Sequence, residues 1–423
     1  MEFEVVRDPL WNNIRVDRDV VPVLDTAAVQ RLRYIRQLGY AFLVYPGATH
    51  TRFEHALGTY HLARRAVAAL EERGEADRLT INERAQVRLA ALLHDVGHYP
   101  FSHALEEAGL PHHEQLAARS LQAPELAQRL RSIAGPDAVE AILDLIEGRS
   151  HTPLGGLISG SLDLDKIEYL TRDAWMCGVP YGAVDVDRLI ASLTLVDDRA
   201  SGRRAIGVLE KGLSALESLL FAKYQMFRNV YWHHAVRAAT CMFKRLVLVA
   251  VGSGRISAEA IARATDDALL TDLARDDVTG LVADLRNRRL YKRALDLPEA
   301  GLAPAAWLSD DPELLGRVED AVAAEAGGRP GDVLLDFPVK PRMLSVALPL
   351  RSREGDVVQL TDEGRAGHLG LPRVAAELYQ SAQRYRVFVR QPLRLDRDAM
   401  VALAQESSER VARRLDQGAP LAR

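Results

Sequence analysis

Apolar residues recur at three- and four-residue intervals through most of the first 250 positions, and that spacing predicts helices. "DTAAVQRLRYIRQLG" (25–39) sets Val29, Leu32, Ile35 and Leu38 near helical spacing behind Asp25 and Thr26 as caps. "HALGTYHLARRAVAALEERG" (55–74) predicts a second helix closed by Gly74. "NERAQVRLAALLHDVGH" (82–98) predicts a third, capped by Asn82 and ending near Gly97 and Pro100. More helices are expected at roughly 113–131, 136–147, 159–174, 185–195 and 209–250, while "FEVVRDP" and "NNIRVD" read as short extended pieces before them. After about residue 330 the pattern alternates instead. "GDVLLDFP", "MLSVALPLRS", "VVQLTD" and "QRYRVFVRQP" predict strands, and "PRVAAELYQSAQ" a helix. The Ala/Pro/Gly-rich stretch 297–313 reads as a linker or loop. The expected fold is mainly α, a large helical core with a small C-terminal α+β lobe. The expected divisions are 1–250 for the core, 251–328 for a helical extension and linker, and 329–423 for the lobe.

Composition narrows the chemistry. A chain of 423 residues with 48% hydrophobic and 26% charged residues is an ordinary globular protein. Its formal charge of −4 argues against a broad binder of nucleic-acid backbone, which needs a basic face. A small anionic substrate requires only a local basic pocket. With two cysteines, Cys177 and Cys241, no disulfide framework or CxxC zinc site is readable, which suggests a reducing compartment. The opening residues have neither a basic nor an apolar leader region, and no 18-residue apolar run occurs, so a cytoplasmic protein with no membrane segment is expected.

Histidine placement then carries the argument. Of 12 histidines, eight fall between His50 and His113, and three sit in "LLHDVGHYPFSH" (92–103). Neutral imidazole and carboxylate together suit Fe, Mn, Zn or Ni, and histidine exchanges protons near neutral pH. His55 opens one helix, His94 and Asp95 end another, and Asp163 and Asp165 precede an amphipathic run in "SGSLDLDKIEYLTRDAW". Adjacent residues on a helix diverge by about 100°, so an ion touching both His94 and Asp95 sits at the helix edge. A reading of "HDVGH" as a metalloprotease-type zinc pair fails. Asp95 is too short for the general-base role there, and Gly97 weakens the helix.

"TRFEHALGTYHLA", "LLHDVGHYPFSHALE", "HHEQ" and "LDLDKIEYLTRD", in that order, resemble the HD-domain phosphohydrolases. More narrowly, with "DTAAVQRLRYIRQLGYAFLVYPGATHTRFEH" before them, they are similar to the deoxynucleoside triphosphate triphosphohydrolases, which include the human SAM-and-HD-domain dNTPase and bacterial relatives. The resemblance is specific from about residue 4 to 245. It is weaker beyond, where "DFPVKP" is similar to bacterial members. It implies an HD-domain helical core with His55, His94, Asp95 and Asp165 as metal ligands, and His113 as the catalytic histidine partnered by Glu106. It also implies that Arg52, His98, His103 and Lys166 contact phosphates, with Lys223 where the human enzyme has arginine. Gln37, Tyr169 and Asp173 would hold the sugar and Tyr231 the sugar–base end. The expected cofactor is a divalent transition metal (Fe, Mn, Zn or Ni), with Mg on the substrate phosphates.

The same resemblance implies a homo-oligomer, dimer or tetramer, and an activating nucleotide read by Asp25, Gln30 and Arg33. Arg7 stands where the human enzyme has an Asn that helps that site, and an amphipathic helix also explains the trio without a ligand. The expected activity is hydrolysis of a dNTP to deoxynucleoside and tripolyphosphate. Two other readings stand beside it: a general HD phosphodiesterase or nucleotidase acting on other nucleotides or single-stranded nucleic acid, and a non-catalytic nucleotide sensor.

Overall fold

The computed structural model describes residues 2–422 except 78, 199–201, 300–301, 304, 341–342, 345, 362–369 and 371–373. The fold is mainly α, as expected, with a few small sheets. Strands β1 (Phe3–Asp8) and β2 (Asn12–Asp17) form an antiparallel hairpin. Its turn is fastened by Asp8, whose Oδ1 accepts the amides of Leu10 and Trp11 at 2.9 and 2.7 Å.

The expected helix over 25–39 breaks up. It runs as a single turn, Ala27–Gln30, then a tight 3₁₀ turn, Arg31–Tyr34. At Ile35 the backbone becomes extended (φ −123°, ψ 114°). There the amide of Arg52 donates to the Ile35 carbonyl, and that of Gln37 donates to the His50 carbonyl. Val29, Leu32 and Ile35 are all fully buried, so the apolar spacing is satisfied while tertiary pairing overrides the helical period.

Two long helices that follow match the sequence pattern closely. Arg52–Glu72 opens on a capping box between Thr51 and Glu54. Ile81–Leu93 opens on another between Thr80 and Glu83, so Thr80 rather than Asn82 is the cap. The stretch expected as one helix over 113–131 divides into His113–Leu121 and Pro124–Ala134, because Pro124 lacks the amide a continuing helix needs and starts a new one. Ala138–Ile146 and Leu164–Cys177 complete this side of the core.

The expected helix at 185–195 shrinks to Val186–Ile190. Its tail becomes β3 (Leu193–Asp198), paired with β4 (Arg203–Leu209). The expected helix over 209–250 is two, Leu213–Met226 and His234–Gly252, separated by a π-type turn at Phe227–Tyr231. Such turns are rare and often sit at functional positions.

β5 (Lys292–Pro298) lies where no strand was expected. β6 (Val333–Asp336), β7 (Leu348–Arg351), β8 (Val357–Leu360) and β9 (Arg384–Val389) fall on the four alternating stretches, and helix Ala375–Ala382 on the fifth. Among the described residues no sheet is built from strands after residue 329 alone. The order β3-β4-β7-β8 joins strands across the chain, with β4 and β7 parallel, and β5-β9-β6 does the same. Asp336, from "DFPVKP", is fully desolvated against Arg237 of helix His234–Gly252 at 2.6 Å. Removing one member of such a pair costs about 3–5 kcal/mol, so this contact clamps the C-terminal strands onto the core. Among the described residues no helix is long and apolar enough to cross a membrane.

Candidate active site

The first turn of helix Arg52–Glu72, the end of helix Ile81–Leu93 and the first turn of helix Leu164–Cys177 converge on one point. His55 Nε2 lies 3.2 Å from His94 Nε2 and 2.9 Å from Asp165 Oδ1, and His94 Nε2 lies 3.5 Å from Asp165 Oδ1. Asp95 closes the group, 3.6 Å from His55 Nε2 and 3.4 Å from His94 Nε2. Donors about 2.1 Å from a shared ion stand roughly this far apart. Both histidines turn Nδ1 away from the cluster, His55 to Glu168 at 2.6 Å and His94 to the Ala91 carbonyl at 2.9 Å, which leaves both Nε2 atoms facing inward. Burial opposes a charge on His55, yet its hydrogen bonds to the Asp165 and Glu168 carboxylates push its pKa up to about 10. The two imidazoles and two carboxylates of the cluster fit a divalent transition metal.

Beyond this cluster a cavity of about 670 Å³ opens. His94, Asp95 and Asp165 line it, together with Gln37, Arg52, His98, His103, Glu106, His113, Lys166, Tyr169, Asp173, Lys223 and Tyr231. The structure thus places every residue expected at the metal, phosphate and sugar positions in the cluster or along this cavity; His55, with 0% exposure, belongs to the cluster without lining the cavity.

His113 begins its helix with Nδ1 2.6 Å from Glu106 Oε1, and its amide donates to the same oxygen at 3.1 Å. Glu106 Oε2 lies 2.9 Å from His103 Nδ1. These two histidines overcome burial and hold the Glu106 carboxyl far below the usual carboxylate range. His98 stacks on His113 with ring centroids 3.7 Å apart, and its Nε2 lies 3.1 Å from Asp95 Oδ1. Burial, then the neighbouring Arg52, holds His98 neutral.

Arg52 is almost fully buried and donates to Asp95 Oδ2 at 2.5 Å and to Ser102 Oγ at 3.2 Å, so it braces a cluster residue as well as facing the cavity. Lys166 bonds the Asp163 carboxylate and the Gly160 carbonyl. Burial, then Lys166 and other charges, pushes the Lys223 ammonium down to about 7.

Gly97 explains how "HDVGH" reaches His113. A Cβ there would overlap the His113 carbonyl and the Ala117 amide, and would stand 3.0 Å from Ala117 Cα. The next stretch is also unusual, with Phe101 and Ser102 both at positive φ (58° and 62°). Such strain persists where the surroundings hold it, here through Ser102 Oγ near the carbonyls of Arg36 and Gln37 at 2.9 and 2.8 Å.

Several working residues were missed in the sequence reading. Glu168 orients His55, and His50 Nε2 holds Asp173 Oδ1 at 2.7 Å while Tyr231 donates to Asp173 Oδ2 at 2.7 Å. Lys340 of "DFPVKP" also lines the cavity. Glu168 had one signal, a spacing of three from Asp165 on the same helix; His50 had none beyond membership of the histidine cluster. The trio expected at a regulatory site is partly engaged within the chain. Gln30 donates to the Leu24 carbonyl and accepts from Arg33 Nε, both at 2.8 Å, and the Arg33 guanidinium lies over the Phe53 ring. Asp25 is exposed.

Two stretches of the chain match known families. Residues 52–173 match the HD domain and residues 184–365 the HD associated region. An uncharacterized protein of Methanocaldococcus jannaschii is 34% identical over 368 residues, covering 86% of this chain and 73% of its own. The chain belongs to the HD-domain family. The deoxynucleoside triphosphate triphosphohydrolase SAMHD1 of Homo sapiens is 28% identical over 346 residues, covering 69% of this chain and 54% of that one. The chain spans about half the length of that relative and of an uncharacterized Bacillus subtilis relative, YwfO, which is 34% identical over 250 residues and matched over 55% of its length. A hypothetical protein from Aquifex aeolicus shares the HD-domain fold over 92% of this chain and 96% of its own, with a TM-score of 0.70 and 27% identity.

Proposed function

We propose that this HD-domain protein hydrolyses deoxynucleoside triphosphates to deoxynucleoside and intact tripolyphosphate. The observation that carries the reading is the placement of a His–Glu pair, His113 and Glu106, in the same cavity as the His/Asp cluster and four lysines. A triphosphate carries about four negative charges whose desolvation needs cations and donors; Lys166, Lys223 and Arg52 supply them locally in a chain that is acidic overall. Gln37 Oε1 and His98 Nδ1 are buried without a hydrogen-bond partner in the protein, a costly condition that a polar ligand would relieve.

A divalent ion held by His55, His94, Asp95 and Asp165 would supply Lewis acidity at a phosphoryl oxygen and acidify water for attack on the α-phosphorus. With His113 Nδ1 donating to Glu106, a proton on its Nε2 would be free to pass to the leaving 5′-oxygen as the bond from the α-phosphorus to that oxygen breaks. Glu106, kept ionised, balances the imidazolium. Asp173, held by His50 and Tyr231, presents the floor on which a deoxyribose would rest.

A nucleotide-activated homo-oligomer reading Asp25, Gln30 and Arg33 belongs to the same proposal. There the hydrolysis of one dNTP rises only when a second is added, whereas hyperbolic kinetics with each dNTP alone argue against activation. The activity itself is tested by incubating the metal-loaded protein with each dNTP and NTP and separating the products by chromatography. Tripolyphosphate supports the proposal; orthophosphate, pyrophosphate or a linearised cyclic dinucleotide in its place selects the general phosphodiesterase reading.

A further inference from the structure

We infer that Glu168, gripped by the turn of the N-terminal hairpin, is the positioning residue for His55 and so tunes the donor set for its metal. The inference rests on the proposed reading of that set as a divalent-cation site.

Glu168 has 0% exposure, and its carboxylate is fully engaged. Oε2 lies 2.6 Å from His55 Nδ1. Oε1 accepts from Trp11 Nε1 at 2.9 Å and from Arg172 Nε at 2.7 Å. Arg172, itself buried, donates onward through Nη1 to Asp8 Oδ2 at 3.0 Å. Trp11 and Asp8 come from the turn between β1 and β2, and the other oxygen of Asp8 closes that turn. A chain of charged hydrogen bonds thus runs Asp8–Arg172–Glu168–His55, from the hairpin into the cluster.

Its physical effect is specific. An ionised acceptor on Nδ1 fixes the imidazole ring and tautomer, directs Nε2 inward and raises its basicity as a ligand. His94 has only a backbone carbonyl in that role, so the two histidines are unequal donors. A second observation points the same way. Gly58 lies one turn beyond His55, and a Cβ there would stand 2.6 Å from Glu168 Cδ and 2.8 Å from Cγ. Alanine is the better helix former, yet this helix position has room only for the carboxylate of Glu168.

The test measures divalent-metal binding to the full chain, with Mn²⁺ and Zn²⁺ as probes, by competition with a chelator and by atomic emission after dialysis. Circular dichroism and Tm report folding. Glu168→Gln should lower metal affinity about 10- to 100-fold. Trp11→Phe, which keeps an aromatic ring and removes one donor, should lower it several-fold. A purely structural role would lower Tm and leave the affinity of the folded protein unchanged, and that result overturns the inference. Should Glu168→Gln not fold, Trp11→Phe decides alone: wild-type affinity in that variant overturns the inference. A wild-type chain that binds neither ion overturns both the inference and the proposed function, whereas wild-type binding with unaffected variants overturns the inference alone.

Discussion

Gly97→Ala should separate metal binding from turnover. The glycine lies where "HDVGH" passes under the helix that begins at His113, and the atoms an added Cβ would strike are backbone: the His113 carbonyl, the Ala117 amide and Ala117 Cα at 3.0 Å. Backbone cannot rotate aside as a side chain can, so the helix start must move by about an ångström to restore ordinary contact. A displacement of that size at a reacting group costs on the order of 100-fold in rate, equivalent to about 2.7 kcal/mol in the barrier. His94 and Asp95 are anchored elsewhere, by the Ala91 carbonyl and by Arg52, so metal content should stay at the wild-type level. The assay is kcat for tripolyphosphate release at saturating dNTP, with metal content measured on the same sample. Gly252→Ala, where nothing lies within 4 Å of an added Cβ, serves as the silent control. Wild-type kcat in Gly97→Ala, or metal loss in proportion to the rate loss, would refute the argument that Gly97 acts by seating His113.

Three more outcomes follow from the geometry. His113→Ala should keep metal and nucleotide binding yet lose turnover, and Glu106→Gln should lose less, about 10- to 100-fold, for removal of one charge-assisted bond; full activity of His113→Ala sinks its assignment as the proton donor. Because burial, then Lys166, pushes Lys223 down to about 7, its ammonium is charged below that pH and neutral above it. The KM for a dNTP should therefore rise between about pH 6 and about pH 8, about 7 being the midpoint, and Lys223→Met should flatten the rise; a wild-type KM independent of pH contradicts this. Burial also pushes Glu319 up to about 7, although the Leu335 amide donates to it at 2.8 Å. A folded pKa above the unfolded one means that stability falls as pH climbs from about 4.5 to 7, by ~3 kcal/mol in all. Glu319→Gln should accordingly raise Tm more at pH 8 than at pH 5, and an equal change at both would count against it.

The cluster was legible because its members are rare types in a fixed order, and short stretches such as "LLHDVGH" carry ligand and scaffold together. What supports them was not. Glu168 reaches His55 across 113 positions, and Trp11 reaches Glu168 across 157; such contacts leave no local pattern. β3 overlaps an expected helix because "LTLV" is buried on both faces, and a short continuous apolar run has no period to read. The helix expected over 25–39 failed for the opposite reason. Its period was correct for burial, but Ile35 to Gln37 exchange backbone bonds with His50 to Arg52. The lobe expected after residue 329 has its strands in the right places, yet β4 and β5 from earlier in the chain complete its sheets.

Phosphorus-31 NMR of a reaction run in ¹⁸O-enriched water, with mass spectrometry of the released nucleoside, tests metal-dependent attack at the α-phosphorus directly. Tripolyphosphate is expected as the sole phosphorus product, with the heavy oxygen on a terminal phosphate, none in the nucleoside, and no reaction after the ion is chelated. Orthophosphate or pyrophosphate as the first product, label in the nucleoside 5′-hydroxyl, or turnover that survives chelation would contradict it.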